Sequence, residues 1–103
     1  MSQLNDVSIT REANIYFDGR VTSRSVHFPD GTKKTLGIML PGDYAFNTAA
    51  KELMEILSGD LEIQLAGEEW RKVSSGQSFE VPANSSFKLK IKTVTDYCCS
   101  YLG

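Results

Sequence analysis

The sequence predicts an all-β protein of one small domain, and three observations carry that prediction. Apolar and polar residues alternate with a period of two, as in the segment LEIQL at 61–65. Turn residues recur at short intervals, as at 29–31 (Pro-Asp-Gly) and 41–43 (Pro-Gly-Asp). The chain has 103 residues, which supports one hydrophobic core and excludes a two-domain Rossmann enzyme or a TIM barrel.

The first half of the chain predicts four strands. Residues 20–28 form a run that ends at a Pro-Asp-Gly turn, and residues 34–40 follow that turn and end at Pro41. Residues 43–48 begin after the Pro-Gly pair. Residues 52–57 end at a Ser-Gly-Asp turn, which starts the second half.

Five further strands are predicted in the second half. Residues 61–65 and 87–92 alternate most strictly, the latter with Lys at every second position. Residues 70–73 and 78–81 are short runs that end at a Ser-Ser-Gly turn and at Pro82. Residues 96–102 close the chain. Evenly spaced short strands of this kind are typical of a β-sandwich or barrel.

The N-terminal residues 1–12 are polar and aperiodic, which predicts a flexible arm before a domain of residues 13–103. They lack the pattern of a signal peptide, and no apolar run reaches the ~18–20 residues of a membrane helix. We therefore expect a cytoplasmic protein without a membrane partner. The net charge of −2 argues against a nucleic-acid partner. Adjacent Cys98 and Cys99 should face opposite ways as reduced thiols.

Two spaced motifs are more specific than the alternation. Six residues separate Glu52 from Gly59, and five separate Gly76 from Pro82, with Phe87 further along. These spacings resemble the two motifs of the cupin superfamily. The resemblance implies a small jelly-roll β-barrel.

The metal ligands of that superfamily are missing from the sequence. Metal-binding cupins place two His residues shortly before the Glu and a third where Phe87 stands. Here the first two positions hold Phe46 and Thr48, or Asn47 and Ala49 if the loop shifts by one residue. Phe cannot bind a metal ion and Thr binds one poorly, so the resemblance implies the fold without the metal.

Five blocks of sequence carry a closer resemblance: residues 16–21, 37–48, 52–59, 76–82 and 97–102. In order and spacing they resemble the pyrimidine/purine nucleoside phosphorylases, a family of small cupins. The resemblance covers nearly the whole chain after the arm. It implies the phosphorolysis of many nucleosides to free base and ribose 1-phosphate, with nucleosides and inorganic phosphate as partners and with no metal or other cofactor.

Glu52 is the expected catalytic residue. If it faces inward, so do Met54 and Ile56, and a carboxylate beside them is costly unless it has a function or a partner. It would accept hydrogen bonds from ribose hydroxyls and stabilise positive charge at C1′. The alternative is a solvated Glu at the start of a strand.

Aromatic side chains are expected to bind the base, because stacking accepts any base. The alternative for each ring is ordinary core packing. The expected substrate-binding residues are Tyr44, Phe46, Thr48, Met54, Phe87, Tyr97 and Tyr101.

The phosphate site is left open by the sequence. Each basic candidate also fits a solvated surface charge, and His27 fits an exposed hairpin better than a catalytic acid. The resemblance departs at Ser100, where a member of the family has Arg, and in the 24–35 hairpin. The candidates are Arg20, Arg24, Arg71 and Lys51, with Thr48 and Ser23.

A homodimer is also expected. Residues 13–22 have strand character beyond the main barrel and would add to the sheet of a partner chain. Two other functions remain open: a non-enzymatic cupin that binds a small ligand in the same pocket, and a purely structural dimer module.

Overall fold

The computed structural model describes residues 2–103, and this part of the chain forms eleven strands and one 3-10 turn at Phe17–Gly19. The strands are Ser8–Ile9 (β1), Asn14–Tyr16 (β2), Val21–His27 (β3), Lys33–Met39 (β4), Gly42–Asn47 (β5), Glu52–Ser58 (β6), Asp60–Leu65 (β7), Arg71–Ser74 (β8), Ser78–Val81 (β9), Ser86–Ile91 (β10) and Thr95–Tyr101 (β11).

The strands form two antiparallel sheets around one core. The larger sheet has the order β1-β3-β4-β11-β6-β9, with β2 also paired to β3, and the smaller has the order β5-β10-β7-β8. The two sheets are not closed into one hydrogen-bonded barrel, which fits a double-sheet jelly roll. The all-β prediction is confirmed, and each of the nine predicted strands lies within one residue of its expected bounds.

The core follows directly from the period-two alternation. Leu61 and Ile63 on β7 are fully buried between the sheets, as is Leu89 on β10. The intervening Lys88 and Lys90 are exposed on the outer face of β10. Each strand of the smaller sheet thus presents one apolar face inward and one polar face to water.

The N-terminal segment covers the free edge of β3. Residues 8–9 and 14–16 both pair with β3, and the Thr10 amide donates to the Ser25 carbonyl at 3.0 Å. Residue 1 of the predicted arm lies outside the described residues. Within residues 2–103 no helix is both long enough and apolar enough to cross a membrane.

Candidate active site

A cavity of about 160 Å³ lies between the two sheets, at the end where β6 begins and β11 finishes. Two of its lining residues, Asn47 and Tyr16, are exposed to solvent. The lining residues are Tyr16, Ser23, Thr35, Met39, Phe46, Asn47, Glu52, Met54, Phe87, Leu89, Tyr97, Cys99 and Tyr101.

The structure brings most of the sequence-predicted site residues together in this one cavity. They come from both sheets, so no local stretch of sequence contains them. The predicted residues that line the cavity are Phe46, Glu52, Met54, Phe87, Tyr97 and Tyr101.

Tyr44 and Thr48 are buried outside the cavity lining. The Tyr44 hydroxyl donates to the Leu40 carbonyl at 2.6 Å. The Thr48 hydroxyl donates to the Pro82 carbonyl at 2.6 Å and accepts from the Ser85 amide at 3.0 Å. The hydroxyl groups of both side chains therefore form hydrogen bonds with the protein's own backbone.

Glu52 faces into the cavity beside Met54 and Cys99. The Cys99 thiol donates to Glu52, with 3.5 Å between Sγ and Oε1. Burial raises the pKa of the Glu52 carboxyl, while the hydrogen bond from Cys99 opposes that rise. The side chain is half-buried, so water still reaches it. A partly desolvated carboxylate at a cavity wall is the kind of group that binds hydroxyl donors or stabilises a nearby positive charge.

Strand register explains why Glu52 has these neighbours. On the paired strands β6 and β11, Glu52 lies opposite Tyr101 and Met54 lies opposite Cys99. Directly opposed residues of an antiparallel pair project from the same face of the sheet. The inward face of the larger sheet therefore presents a carboxylate, a phenol and a thiol side by side.

The smaller sheet contributes an aromatic wall. Phe46 and Phe87 stack with their ring centroids 5.8 Å apart and their planes at 26°. Tyr16 packs edge-on against Phe46 at 5.9 Å, and Phe79 does so against Phe87 at 6.2 Å. This wall is apolar and flat enough to accept the face of a heterocyclic base.

Hydroxyl groups form the part of the wall that belongs to β3 and β4. Ser23 and Thr35 are each 4% exposed and line the cavity. The Asn14 amide group lies 3.2 Å from both the Ser23 and the Ser25 hydroxyl oxygens, and can donate to them. Of these residues the sequence singled out only Ser23. The only signal for Thr35 in the sequence was its inward position on a predicted strand. A hydroxyl residue at such a position is easily interpreted as solvent-exposed.

Gly37 leaves room for the Tyr97 ring beside β4. A Cβ at position 37 would overlap the Thr22 carbonyl oxygen and come within 2.7 Å of the Tyr97 Cζ. The Tyr97 hydroxyl instead approaches that carbonyl at 3.4 Å. Burial raises the pKa of Tyr97 well above its usual range and that of Tyr101 to about 12, so both phenols stay protonated at neutral pH.

The basic residues proposed for phosphate lie outside the cavity lining. The Arg20 guanidinium sits over the Tyr44 ring at 5.4 Å, and the Arg24 Nε donates to the Arg11 carbonyl at 3.4 Å. Lys51 pairs with Glu80 at 3.4 Å on the protein surface.

Three further polar residues also lie outside the lining, whereas the candidate Ser23 belongs to it. Arg71 is exposed on β8, an edge strand, and His27 is exposed at the end of β3 with its Nε2 atom 3.0 Å from the Thr10 hydroxyl. Ser100 is buried but is not among the lining residues, and its hydroxyl has no hydrogen-bond partner within residues 2–103. Position 100, where the sequence departs from the family, therefore lies outside the cavity lining.

The cysteines face opposite sides of the larger sheet, as expected. Cys99 lines the cavity, whereas Cys98 lines a groove on the outer face beside Leu36 and Leu57. Both are free thiols. Burial and the nearby Glu52 carboxylate raise the pKa of Cys99 to about 12, so it is a hydrogen-bond donor rather than a nucleophile at neutral pH.

Comparison of the sequence with known proteins gives matches to one family. The family described as pyrimidine/purine nucleoside phosphorylase matches residues 11–101. A relative with that name from Chlorobium chlorochromatii is 84% identical over the full length of both chains. One from Geobacter sulfurreducens is 62% identical, also over the full length of both.

Solved structures agree with the fold. A protein of unknown function from Acinetobacter has a TM-score of 0.93 at 42% identity, covering 97% of this chain and 98% of its own. A cupin superfamily protein from Desulfitobacterium hafniense has a TM-score of 0.69 at 17% identity, covering 88% of this chain and 82% of its own. The predicted cupin fold is thereby confirmed, and the chain belongs to the pyrimidine/purine nucleoside phosphorylase family.

Proposed function

We propose that this protein cleaves purine and pyrimidine nucleosides with inorganic phosphate, giving the free base and ribose 1-phosphate. One observation carries the proposal: in a chain of this family, the Glu52 carboxylate faces an aromatic wall across a single cavity. The carboxylate can bind the ribose hydroxyls while the aromatic wall stacks on the base, so one cavity can hold a whole nucleoside. The enzyme would thus be a pentosyltransferase.

The proposed reaction exchanges one bond at C1′ for another. An oxygen of hydrogen phosphate forms a bond to C1′, and the C1′–N bond breaks with its electron pair leaving on the base. The proton of hydrogen phosphate ends on the base nitrogen, so charge and atoms balance. By analogy with glycoside hydrolysis, positive charge develops on the ribose as the base departs. The Glu52 carboxylate is placed to stabilise that charge and to accept hydrogen bonds from ribose hydroxyls.

Broad choice of base follows from the chemistry of the aromatic wall. Phe46 and Phe87 offer ring faces, which stack on a purine or a pyrimidine without reading its edge. A site that discriminated strongly between bases would need buried polar groups paired to one particular base edge. We therefore propose that inosine and uridine are both substrates.

We propose that the reaction needs no metal ion. Phe46 and Phe87 line the cavity. The cupin resemblance puts Phe87 at a His position, and Phe46 and Thr48, or Asn47 and Ala49, at the other two. No group of three or more His, Cys, Asp or Glu side chains within residues 2–103 could hold a metal ion together. The donor set beside Glu52 is a thiol and a phenol, which are protonated at neutral pH and are therefore poor ligands.

We also propose a homodimer in the cytoplasm. Asn14–Tyr16 pairs with β3 along one side, which leaves the other side of β2 for addition of a partner strand. Ile15 is 66% exposed there, and it would be buried by such a contact. Free thiols at Cys98 and Cys99 fit a reducing compartment.

Base release from inosine and uridine, with and without added phosphate, tests the proposed reaction. We expect hypoxanthine and uracil to appear only with phosphate, in amounts equal to the ribose 1-phosphate formed. Binding of nucleosides without any base release would instead favour the alternative, a non-enzymatic cupin that binds a small ligand. Base release at the same rate without phosphate would indicate a hydrolase and overturn the proposal.

A further inference from the structure

A phosphate dianion is held in proteins by cationic side chains and by N–H or O–H donors. The cavity described above is lined by a carboxylate, phenols and hydroxyls, and its lining includes neither Lys nor Arg. A cation that binds phosphate in this cavity must therefore lie beside the lining residues and contact them from outside.

Lys33 contacts the lining residue Tyr101. Its ammonium group sits over the ring of Tyr101, with 4.7 Å between Nζ and the ring centroid. It shares a strand with Thr35, two residues away, and successive odd positions of a strand point to the same face. Lys33 is exposed, and within residues 2–103 it has no carboxylate within 4.0 Å.

The register of the larger sheet sets the distance between Lys33 and Glu52. Ser100 lies opposite Lys34, which puts Lys33 beside Tyr101, and Tyr101 lies opposite Glu52. Two strand spacings of ~4.8 Å place the backbones of Lys33 and Glu52 roughly 10 Å apart. Their side chains can therefore approach opposite ends of one ribose 1-phosphate, with Tyr101 between the cation and the carboxylate.

We propose that Lys33 binds the phosphate substrate beside Tyr101, at the edge of the cavity lining, with the Tyr101 and Thr35 hydroxyls as additional donors. The inference rests on the proposed phosphorolysis, whose second substrate it places. Phosphate bound here stands beside the ribose held by Glu52, and its oxygen attacks C1′ while the base leaves along the aromatic wall. The Lys33 ammonium offsets the phosphate charge that Glu52 would otherwise repel.

Three other lysines have other contacts or face elsewhere. Lys34, the next residue, points to the outer face, with its ammonium 6.0 Å from the centre of the Phe28 ring. Lys51 is paired with Glu80, and Lys92 with Glu62 at 3.1 Å. Lys34 therefore provides a matched control: the same side chain on the same strand, aimed away from the cavity.

Kinetics with each substrate varied separately test the assignment. For Lys33→Met we expect the KM for phosphate to rise about ten- to a hundredfold, the size expected for loss of a charge-assisted hydrogen bond. The KM for inosine should stay within about twofold, because nucleoside binding does not use the ammonium group. Lys33→Arg should recover most of the phosphate affinity, and Lys34→Met should leave both KM values unchanged. A phosphate KM within about twofold of wild type in Lys33→Met overturns the assignment.

Direct binding of inorganic phosphate, followed by 31P NMR, separates this inference from the proposed function. If wild type binds phosphate and Lys33→Met does not, the subsite is supported even if no base is ever released, and only the phosphorolysis fails. If wild type shows phosphate-dependent base release and Lys33→Met binds phosphate equally well, the phosphorolysis stands and the role of Lys33 is overturned. If wild type neither binds phosphate nor releases base, both are overturned.

Discussion

The Cys99 thiol donates a hydrogen bond to the Glu52 carboxylate, with 3.5 Å between Sγ and Oε1. The bond joins neighbouring strands, since Cys99 lies opposite Met54 and Glu52 is two residues earlier on β6. Because the pKa of Cys99 is raised to about 12, the thiol stays protonated and keeps its donor atom at neutral pH. Glu52 is thus held toward the cavity by a neutral donor, which does not neutralise the charge of the carboxylate.

Replacing Glu52 with Gln tests whether that charge takes part in the reaction. Gln keeps the size and the acceptor oxygen but cannot stabilise positive charge at C1′. We expect kcat and kcat/KM to fall by roughly two to three orders of magnitude for both inosine and uridine, corresponding to about 3–4 kcal/mol. The KM for nucleoside should change much less. Initial-rate measurements of base release check this.

Glu55→Gln is the matched control, since Glu55 lies on the same strand and lines the groove on the outer face. We expect its kcat and KM within about twofold of wild type. If Glu52→Gln behaved like this control, Glu52 would be removed from the mechanism. A rise in KM with unchanged kcat would assign it to ground-state binding of ribose.

The same substitution predicts a pH-dependent change in stability. Burial raises the pKa of Glu52 in the folded protein above its ordinary value of 4.5. Between these two pKa values the folded state holds more protons than the unfolded state, so stability falls as pH rises through that window. Above the folded pKa the carboxyl is charged and the penalty is fully present, so Glu52→Gln should there be more stable than wild type by roughly 0.5 kcal/mol, a small value because water screens the half-exposed group.

Urea unfolding at pH 7 and pH 4 measures the difference. The gain in the free energy of unfolding should shrink at pH 4, where the wild-type carboxyl is largely protonated in both states. A gain that grew on acidification would show that the folded pKa is lowered rather than raised. Stabilisation together with lost activity would mark Glu52 as a residue kept for function.

Thr48 should affect stability rather than substrate binding. Thr48→Val leaves the Pro82 carbonyl without its donor and the Ser85 amide without its side-chain acceptor. We expect a loss of about 1–3 kcal/mol in the free energy of unfolding, with KM values near those of wild type. Thr10→Val, which removes an exposed hydroxyl, should cost less than ~0.5 kcal/mol. A selective rise in the phosphate KM of Thr48→Val would return Thr48 to the substrate site.

Most of the fold could be predicted because it depends on alternation and turn residues, which are local. The strands β1 and β2 have two and three residues, too few to show a period. They exist because β3 offers an unpaired edge, and that edge is a property of the assembled sheet. Their covering of β3 could not be derived from residues 8–16 alone.

The candidate site was less predictable than the fold. Which face of a strand a side chain occupies follows from the local alternation, but whether it reaches the cavity depends on the opposing sheet. Tyr44 shares its inward face with Phe46, as alternation predicts, yet only Phe46 reaches the cavity. The difference depends on how far along β5 the opposing sheet leaves space. Thr35 was missed for the converse reason: a hydroxyl residue between Lys34 and Leu36 carries no signal of burial until β11 pairs beside it.

Removal of metal ions should leave activity unchanged. Phe46 and Phe87 line the cavity and cannot bind a metal ion, so we expect Glu52 to stabilise the charge at C1′ without one. We expect elemental analysis of the purified protein to find less than stoichiometric transition metal, and dialysis against a chelator to leave kcat within about 20% of its starting value. Stoichiometric metal whose removal abolishes base release would contradict this prediction.

The proposed homodimer should be visible in sedimentation. At micromolar concentration we expect about twice the chain mass of 11.4 kDa. Ile15 is 66% exposed on β2, so Ile15→Asp should leave the fold intact. It should shift the protein toward monomer, because a partner strand added at β2 would bury the introduced charge. Val94→Asp is the control, since Val94 is 54% exposed in the loop before β11 and lies outside the proposed contact. Sedimentation of the wild-type protein as a monomer would contradict the proposed homodimer. If Ile15→Asp stays dimeric while Val94→Asp dissociates, the dimer forms through the β11 end instead of through β2.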